Sequence, residues 1–224
     1  MSTILVTGAD RGIGAALVRN YAARGDDVIA ACLGDGADLV AEGLQVEAGV
    51  DVTDMASLEA LRDRLGDARL DMVINNAGAF HPDNWPQFDT DAMMRLYDIN
   101  TLGPLRVVTA LAPLMGDGAK IGIITSRVGS LTDNSSGGMY GYRLSKAAGN
   151  ALGINLYHEL RPRGIAVMLL HPGQVATEMT QDLQSLGDFI TPEQSAAGLV
   201  ERMDELGPDT PPEFRHTDGT LLPW

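Results

Sequence analysis

At 224 residues and 23.7 kDa, with 45% apolar and 21% charged residues, the chain can bury one substantial core, and its composition excludes disordered and fibrous classes. Thirty acidic residues against sixteen basic ones leave a net charge of -14, a field that repels phosphate backbones and anionic headgroups, so neither nucleic acid nor a membrane is expected as a partner. Cys32 stands alone and excludes an intramolecular disulfide, and no apolar run approaches the roughly 18 residues of a membrane span, which together predict a cytoplasmic setting.

Short runs rich in Val, Ile and Leu predict strands at 3–7, 27–32, 45–50, 70–75, 120–125 and 165–171. Their near-continuous apolarity suits strands buried on both faces. Amphipathic stretches between them predict helices at 12–24, 55–65, 90–115, 139–161 and 192–205, with Asp54 as an N-cap and Pro192 in a first turn. The βαβα alternation across 1–224 predicts a single α/β domain: a doubly wound, mostly parallel sheet with helices on both faces and ligands at the carboxyl ends of the strands. The tail from Gly207 to Trp224 should wrap the sheet edge, with Trp224 docked.

The first strand runs into Thr7-Gly8-Ala9-Asp10-Arg11-Gly12-Ile13-Gly14 and then an apolar helix. Gly8, Gly12 and Gly14 permit a tight turn and close approach of backbone N–H groups to a pyrophosphate at a helix N-terminus, which reads as a dinucleotide cradle. Asp51, followed by Val52, reads equally as an acceptor for an adenine amino group or as a helix-capping aspartate. Asn75-Asn76-Ala77-Gly78 closes the fourth strand, where paired amides can hold a ribose against the sheet or form a plain asparagine turn.

Tyr142 and Lys146 share a helix face at i and i+4, with Ser126 at the end of the preceding strand. Lowering a phenol from about 10 toward about 7 takes about 4 kcal/mol, which a nearby ammonium and a positively charged nicotinamide could supply together. Tyr142 is then a general acid in reduction and base in oxidation, and the Ser126 hydroxyl bonds the substrate oxygen as charge develops. His81, His158, His171 and His216 are scattered, so no metal site is expected.

With these residues together the chain resembles the short-chain dehydrogenase/reductase family over essentially its whole length, and its motifs Gly137–Tyr142 and Asp218–Trp224 resemble the branch holding the sniffer carbonyl reductases and C-factor signalling proteins. The resemblance implies a Rossmann fold and an NAD(P)-dependent enzyme acting on a small carbonyl or alcohol substrate. It adds Asn100 to Ser126, Tyr142 and Lys146 as the holder of a relay water, and assigns Lys146 to the nicotinamide ribose, Thr177 to the carboxamide and the Ile13 backbone to the pyrophosphate. Pro172, Gly173 and Val175 belong to the same segment. Ser126 lies further from Tyr142 than is usual, with Ser130 as a fallback, and the polar, glycine-rich 132–138 can absorb the difference as a loop.

The second strand ends in Ala31-Cys32-Leu33, with no carboxylate for a ribose 2′-OH and no arginine for a 2′-phosphate. Arg11 is the remaining cation, so NADP(H) is favoured over NAD(H), with Asp35 opposing. Small residues Ala147, Ala148, Gly149, Ala151 and Gly153 suit either packing on the sheet or the two-fold interface common in the family, hence a homodimer or homotetramer. The alternative function is a non-catalytic dinucleotide sensor or C-factor-like signalling protein.

Overall fold

The computed structural model describes residues 1–224 apart from the side chain of Leu186. Strands β1 (Thr3–Thr7), β2 (Asp27–Ala31), β3 (Gln45–Glu47), β4 (Leu70–Asn75), β5 (Met115–Ile124), β6 (Ala166–His171) and β7 (Phe214–His216) form one sheet in the order β3-β2-β1-β4-β5-β6-β7. Every pairing is parallel. Helices α1 (Gly12–Ala23), α2 (Ala37–Ala41), α3 (Met55–Leu65), α4 (Thr90–Tyr97), α5 (Gly103–Leu111), α6 (Tyr140–Leu160) and α7 (Pro192–Glu205) complete the fold.

Strand periodicity divides the core in two. Ile4, Val6, Met72, Ile74, Met168 and Leu170 pack with α1 and α7, whereas Leu5, Val73, Ile121, Ile123 and Val167 pack with α3, α5 and α6. The order reverses beside β1 and β4, the switch point outside which an open sheet binds ligands.

The segment expected as one helix over 90–115 is broken into α4, a π-helical turn, α5 and a 3₁₀ turn at Ala112–Leu114 that leads into β5. A π-helical turn at Asp98–Leu102 separates α4 from α5. There Asn100 and Thr101 turn inward: Thr101 Oγ1 donates to the Ser145 carbonyl at 2.8 Å, and Asn100 Nδ2 donates to Ser145 Oγ at 3.0 Å. These partners explain the inserted residue. Strand β5 accordingly starts at Met115 rather than 120, because Met115 already pairs with Leu70. The short helix α2 was not expected from the sequence. The tail contributes β7 at the sheet edge, and Trp224 stacks on Phe214 with ring centroids 6.0 Å apart while its carbonyl accepts from Thr132 N–H at 3.0 Å.

Of the small residues on α6, Gly149 and Gly153 are buried within the chain, and a Cβ on Gly153 would meet Leu169 Cδ2 at 2.7 Å. Ala151 faces outward. No helix among the described residues is long and apolar enough to cross a membrane.

Candidate active site

The loops that follow β1 to β6 meet at the carboxyl edge of the sheet. The turn after β1 is built for close approach: a Cβ on Gly8 would lie 2.7 Å from Ala77 Cα, and one on Gly14 would lie 2.3 Å from the Gly8 carbonyl oxygen. Gly8 and Gly12 have φ of +62° and +56°, where a side chain is strained. Helix α1 starts at Gly12, its N-cap residue Arg11 makes no side-chain cap and its first turn holds no acidic residue, so its leading N–H groups face the edge unclaimed by side chains. This cradle fits the pyrophosphate of a dinucleotide.

The neighbouring residues are more structural than their sequence suggests. Asn76 Nδ2 donates to the Thr7 and Gly8 carbonyls at 3.0 Å each, and Thr7 Oγ1 accepts from the Asn76 and Ala77 N–H groups at 3.2 Å. The Asn76 amide nitrogen thus ties β1 to β4. Asp51 Oδ1 accepts from Thr53 N and Oγ1 at 2.8 and 2.7 Å, while Asp54, not Asp51, caps α3. Val52 is buried against Gly103.

At the end of β2 the structure corrects the expectation that no carboxylate is in place. Asp10 reaches across from the glycine turn and accepts from the Leu33 and Gly34 N–H groups at 3.0 and 2.7 Å. Leu33 itself is largely exposed. Arg11 pairs with Glu178 at 3.1 Å, both side chains about three-quarters exposed. Thr177 lies beside Gly12, its Cγ2 3.3 Å from where a Cβ would stand, and its N–H donates to Thr180 Oγ1 at 3.1 Å. Pro172 and Gly173 lead into this segment from β6, and Val175 is buried and paired with Ile190. Ile13 packs on the α1 side of the core.

Ser126, Tyr142, Lys146 and Asn100 come together beyond β5. Ser126, two residues past its end, is buried; its Oγ accepts from Val128 N–H at 3.4 Å, and its hydroxyl acts on the Tyr142 phenol in the lowering direction. The fallback Ser130 is also buried, but its Oγ accepts from Asp133 N–H at 3.1 Å and serves the loop. Phe80 stands edge-on to Tyr142 with centroids 5.1 Å apart. Lys146 Nζ lies 5.7 Å from the Tyr142 ring centroid and donates to the Ile124 carbonyl at 3.0 Å. Asn100 Oδ1 accepts from Ala79 N–H at 2.8 Å and its Nδ2 donates to the Ala79 carbonyl at 3.0 Å.

The electrostatics of the protein alone run opposite to the expected lowering of the phenol. Burial pushes Tyr142 up to about 12, against the hydrogen bond from Ser126, and pulls Lys146 down to about 8. Desolvation is the largest cause at both groups; the ammonium sits over the ring and donates to a backbone carbonyl. Further along the edge, burial and the neighbouring His216 pull His171 down to about 3. Among the described residues no group of three His, Cys, Asp or Glu could hold a metal ion.

Comparison with known proteins agrees with this geometry. A family model described as short chain dehydrogenase matches residues 2–186. A Rhodococcus sp. (strain AD45) protein named 1-hydroxy-2-glutathionyl-2-methyl-3-butene dehydrogenase is 54% identical over 226 residues, covering 100% of both chains. A Burkholderia multivorans short-chain dehydrogenase/reductase solved with bound NADP superposes with a TM-score of 0.90 at 31% identity, covering 100% of this chain and 99% of that one. The carbonyl reductase Sniffer of D. melanogaster gives 0.89 at 28% identity with both chains fully covered.

Between about pH 8 and the 10.5 of a free lysine, the unfolded chain holds the Lys146 proton more tightly than the folded one, so stability should rise with pH across that window. Lys146→Met should flatten this rise and stabilise the protein at pH 7, by up to about 3 kcal/mol, in urea titrations at pH 7 to 10. A variant less stable at pH 7 with the slope intact would show that the buried ammonium carries no such cost.

The switch-point cradle, the Ser126–Tyr142–Lys146 group and these likenesses agree, and the chain belongs to the short-chain dehydrogenase family, as an NAD(P)-dependent oxidoreductase.

Proposed function

We propose that residues 1–224 act as one catalytic unit that interconverts a carbonyl and an alcohol, with Tyr142 moving the proton at the substrate oxygen. The single observation that supports this most is the convergence of the buried Ser126 and Lys146 on the half-buried Tyr142, with Lys146 Nζ 5.7 Å from the phenol ring centroid. Held at the Gly8–Gly14 turn, a nicotinamide dinucleotide would supply the hydride chemistry at the substrate carbon. Ser126 donates to the substrate oxygen and so orients it toward Tyr142. A phenol held near 12 keeps its proton at neutral pH and suits reduction, while oxidation needs added positive charge to draw the proton off. Lys146 contributes only part of that charge, and the remainder must come with a ligand. Since the Asn100 side chain is spent on Ala79 and Ser145, a relay water on this residue falls to its main-chain carbonyl.

The name of the Rhodococcus relative describes an alcohol one carbon from a glutathionyl group. We extend this to the present chain as an alcohol, or its aldehyde, beside a thioether, to be assayed by nicotinamide absorbance against plain aldehydes, ketones and alcohols. Tyr142→Phe should leave cofactor binding nearly unchanged and lower kcat by about 10²–10⁴-fold. Wild-type turnover in that variant would remove the assignment and favour a sensing role.

NADP(H) is the proposed cofactor in preference to NAD(H). The NADP bound to the Burkholderia relative and the exposed Arg11 support it, since an exposed ion pair with Glu178 is worth little and yields readily to a phosphate. Asp10 works against it, being an anion at the end of β2. Arg11→Ala should therefore weaken NADPH more than NADH, and Asp10→Asn should shift preference toward NADPH. Equal losses in Arg11→Ala, or tighter NADH in the wild type, would mean that Arg11 does not read the 2′-phosphate.

A homodimer or homotetramer is proposed on the outward face of α4, α5 and α6, where Met94, Leu105 and Leu144 are exposed. Light scattering giving one subunit's mass at micromolar concentration would remove it. A cytoplasmic location is proposed as well, supported by the single, buried Cys32.

A further inference from the structure

The turn that enters helix α6 is left-handed over three consecutive residues. Gly137, Gly138 and Met139 have φ of +64°, +69° and +49°, and Met139 is the one non-glycine residue with positive φ among those described. A side chain is strained in that region, so something outside the turn must hold it. The helix does not: α6 has no side-chain cap and no acidic residue in its first turn.

Two charged side chains grip the turn from opposite sides. Arg143 Nε donates to the Gly137 and Gly138 carbonyls at 3.2 and 3.1 Å, Nη1 to the Val128 carbonyl at 3.0 Å, and Nη2 to Ser136 Oγ at 2.8 Å. Asp83, on the loop after β4 and 5% exposed, takes the N–H side. Its carbonyl accepts from Met139 N–H at 2.8 Å and its Oδ2 accepts from Gly141 N–H at 3.0 Å. Its other oxygen, Oδ1, is buried without a partner, so the grip on the turn runs through Oδ2 and the main-chain carbonyl alone.

We propose that Arg143 and Asp83 are paired positioning residues that clasp this turn and hold the extended Ser126–Met139 loop in register with the helix carrying Tyr142. The inference rests on the assignment of Ser126 and Tyr142 made above. Residues 134–137 are exposed and polar or glycine, so hydrophobic packing does not anchor them. Arg143 follows Tyr142 directly and bonds Val128, two residues beyond Ser126, so the guanidinium spans the gap between the two groups that face the substrate oxygen. Lysine cannot reproduce this, as one ammonium cannot reach along the fork that serves four acceptors.

The test is Arg143→Lys, alone and combined with Ser126→Ala, with Asp83→Asn as a second, isosteric variant. Arg143→Lys should speed amide exchange across 127–139 and lower kcat by about tenfold with an unchanged dissociation constant for NADPH, since a small misplacement of reacting groups is enough for such a loss. In the Ser126→Ala background the same change should cost less than about twofold, because a residue acting through Ser126 has nothing left to position. Asp83→Asn, which keeps the oxygen that caps Gly141, should retain kcat within about threefold, whereas Asp83→Ala should not. Unchanged exchange in Arg143→Lys, equal losses in both backgrounds, or Asp83→Asn as damaged as Asp83→Ala would overturn the clasp. Should Ser126→Ala and Tyr142→Phe both keep full turnover, the catalytic assignment fails. The clasp as a positioning device then fails with it, even where exchange shows that the turn is held.

Discussion

Helix α6 lies on the sheet at a distance set by Gly153, where any added carbon would collide with Leu169, and it is fastened there by polar bonds rather than by apolar contact alone. Thr125 Oγ1 bonds Asn150 Oδ1 at 2.7 Å, and Lys146 Nζ bonds the Ile124 carbonyl at 3.0 Å. Both of those partners sit at the carboxyl end of β5, one residue apart. The helix is thereby indexed to the strand that delivers Ser126, and Tyr142, one turn before Lys146, arrives beside it. A looser contact would leave the same residues present but out of register.

The same fastening determines the electrostatics. A lysine drawn under a helix and bonded to a carbonyl is a costly cation, and a phenol in the same place is a reluctant anion. The protein therefore holds its two titrating groups in the forms that suit proton donation, and the charge needed for the reverse direction must come with a ligand. Neighbouring groups show a similar compromise, with Asn75 Oδ1, His171 Nδ1 and Asp83 Oδ1 buried and unpaired. These lie on or beyond the carboxyl ends of β4 and β6, where the fold gives up stability around the site.

The loops at that edge are not passive connections. Asn76 ties the glycine turn to β4, Asn100 ties the start of the 79–89 loop to the π-helical turn, and the Trp224 carbonyl ties the tail to Thr132. Each bond joins segments far apart in the chain. The carboxyl edge is consequently a continuous polar network laid over a sheet whose two faces are almost purely apolar.

From the sequence alone, six of the seven strands, the parallel winding, the glycine cradle and the Ser126, Tyr142 and Lys146 constellation could be determined, because apolar runs, glycine spacing and an i,i+4 pair are local signals. The π-helical turn, β7 and the short α2 were not legible. The first depends on Asn100 and Thr101 finding partners on α6, and the second is a three-residue strand that exists only because β6 offers an edge. Tertiary structure alone decided that Asp10 would supply the carboxylate missing from the end of β2, that Asn76 would bind backbone, and that Asp83 and Arg143 would grip one turn. It also decided the direction in which Tyr142 and Lys146 shift. Spacing can place a cation beside a phenol, but the cost of desolvating both depends on what else surrounds them, and that is known only once the chain has closed.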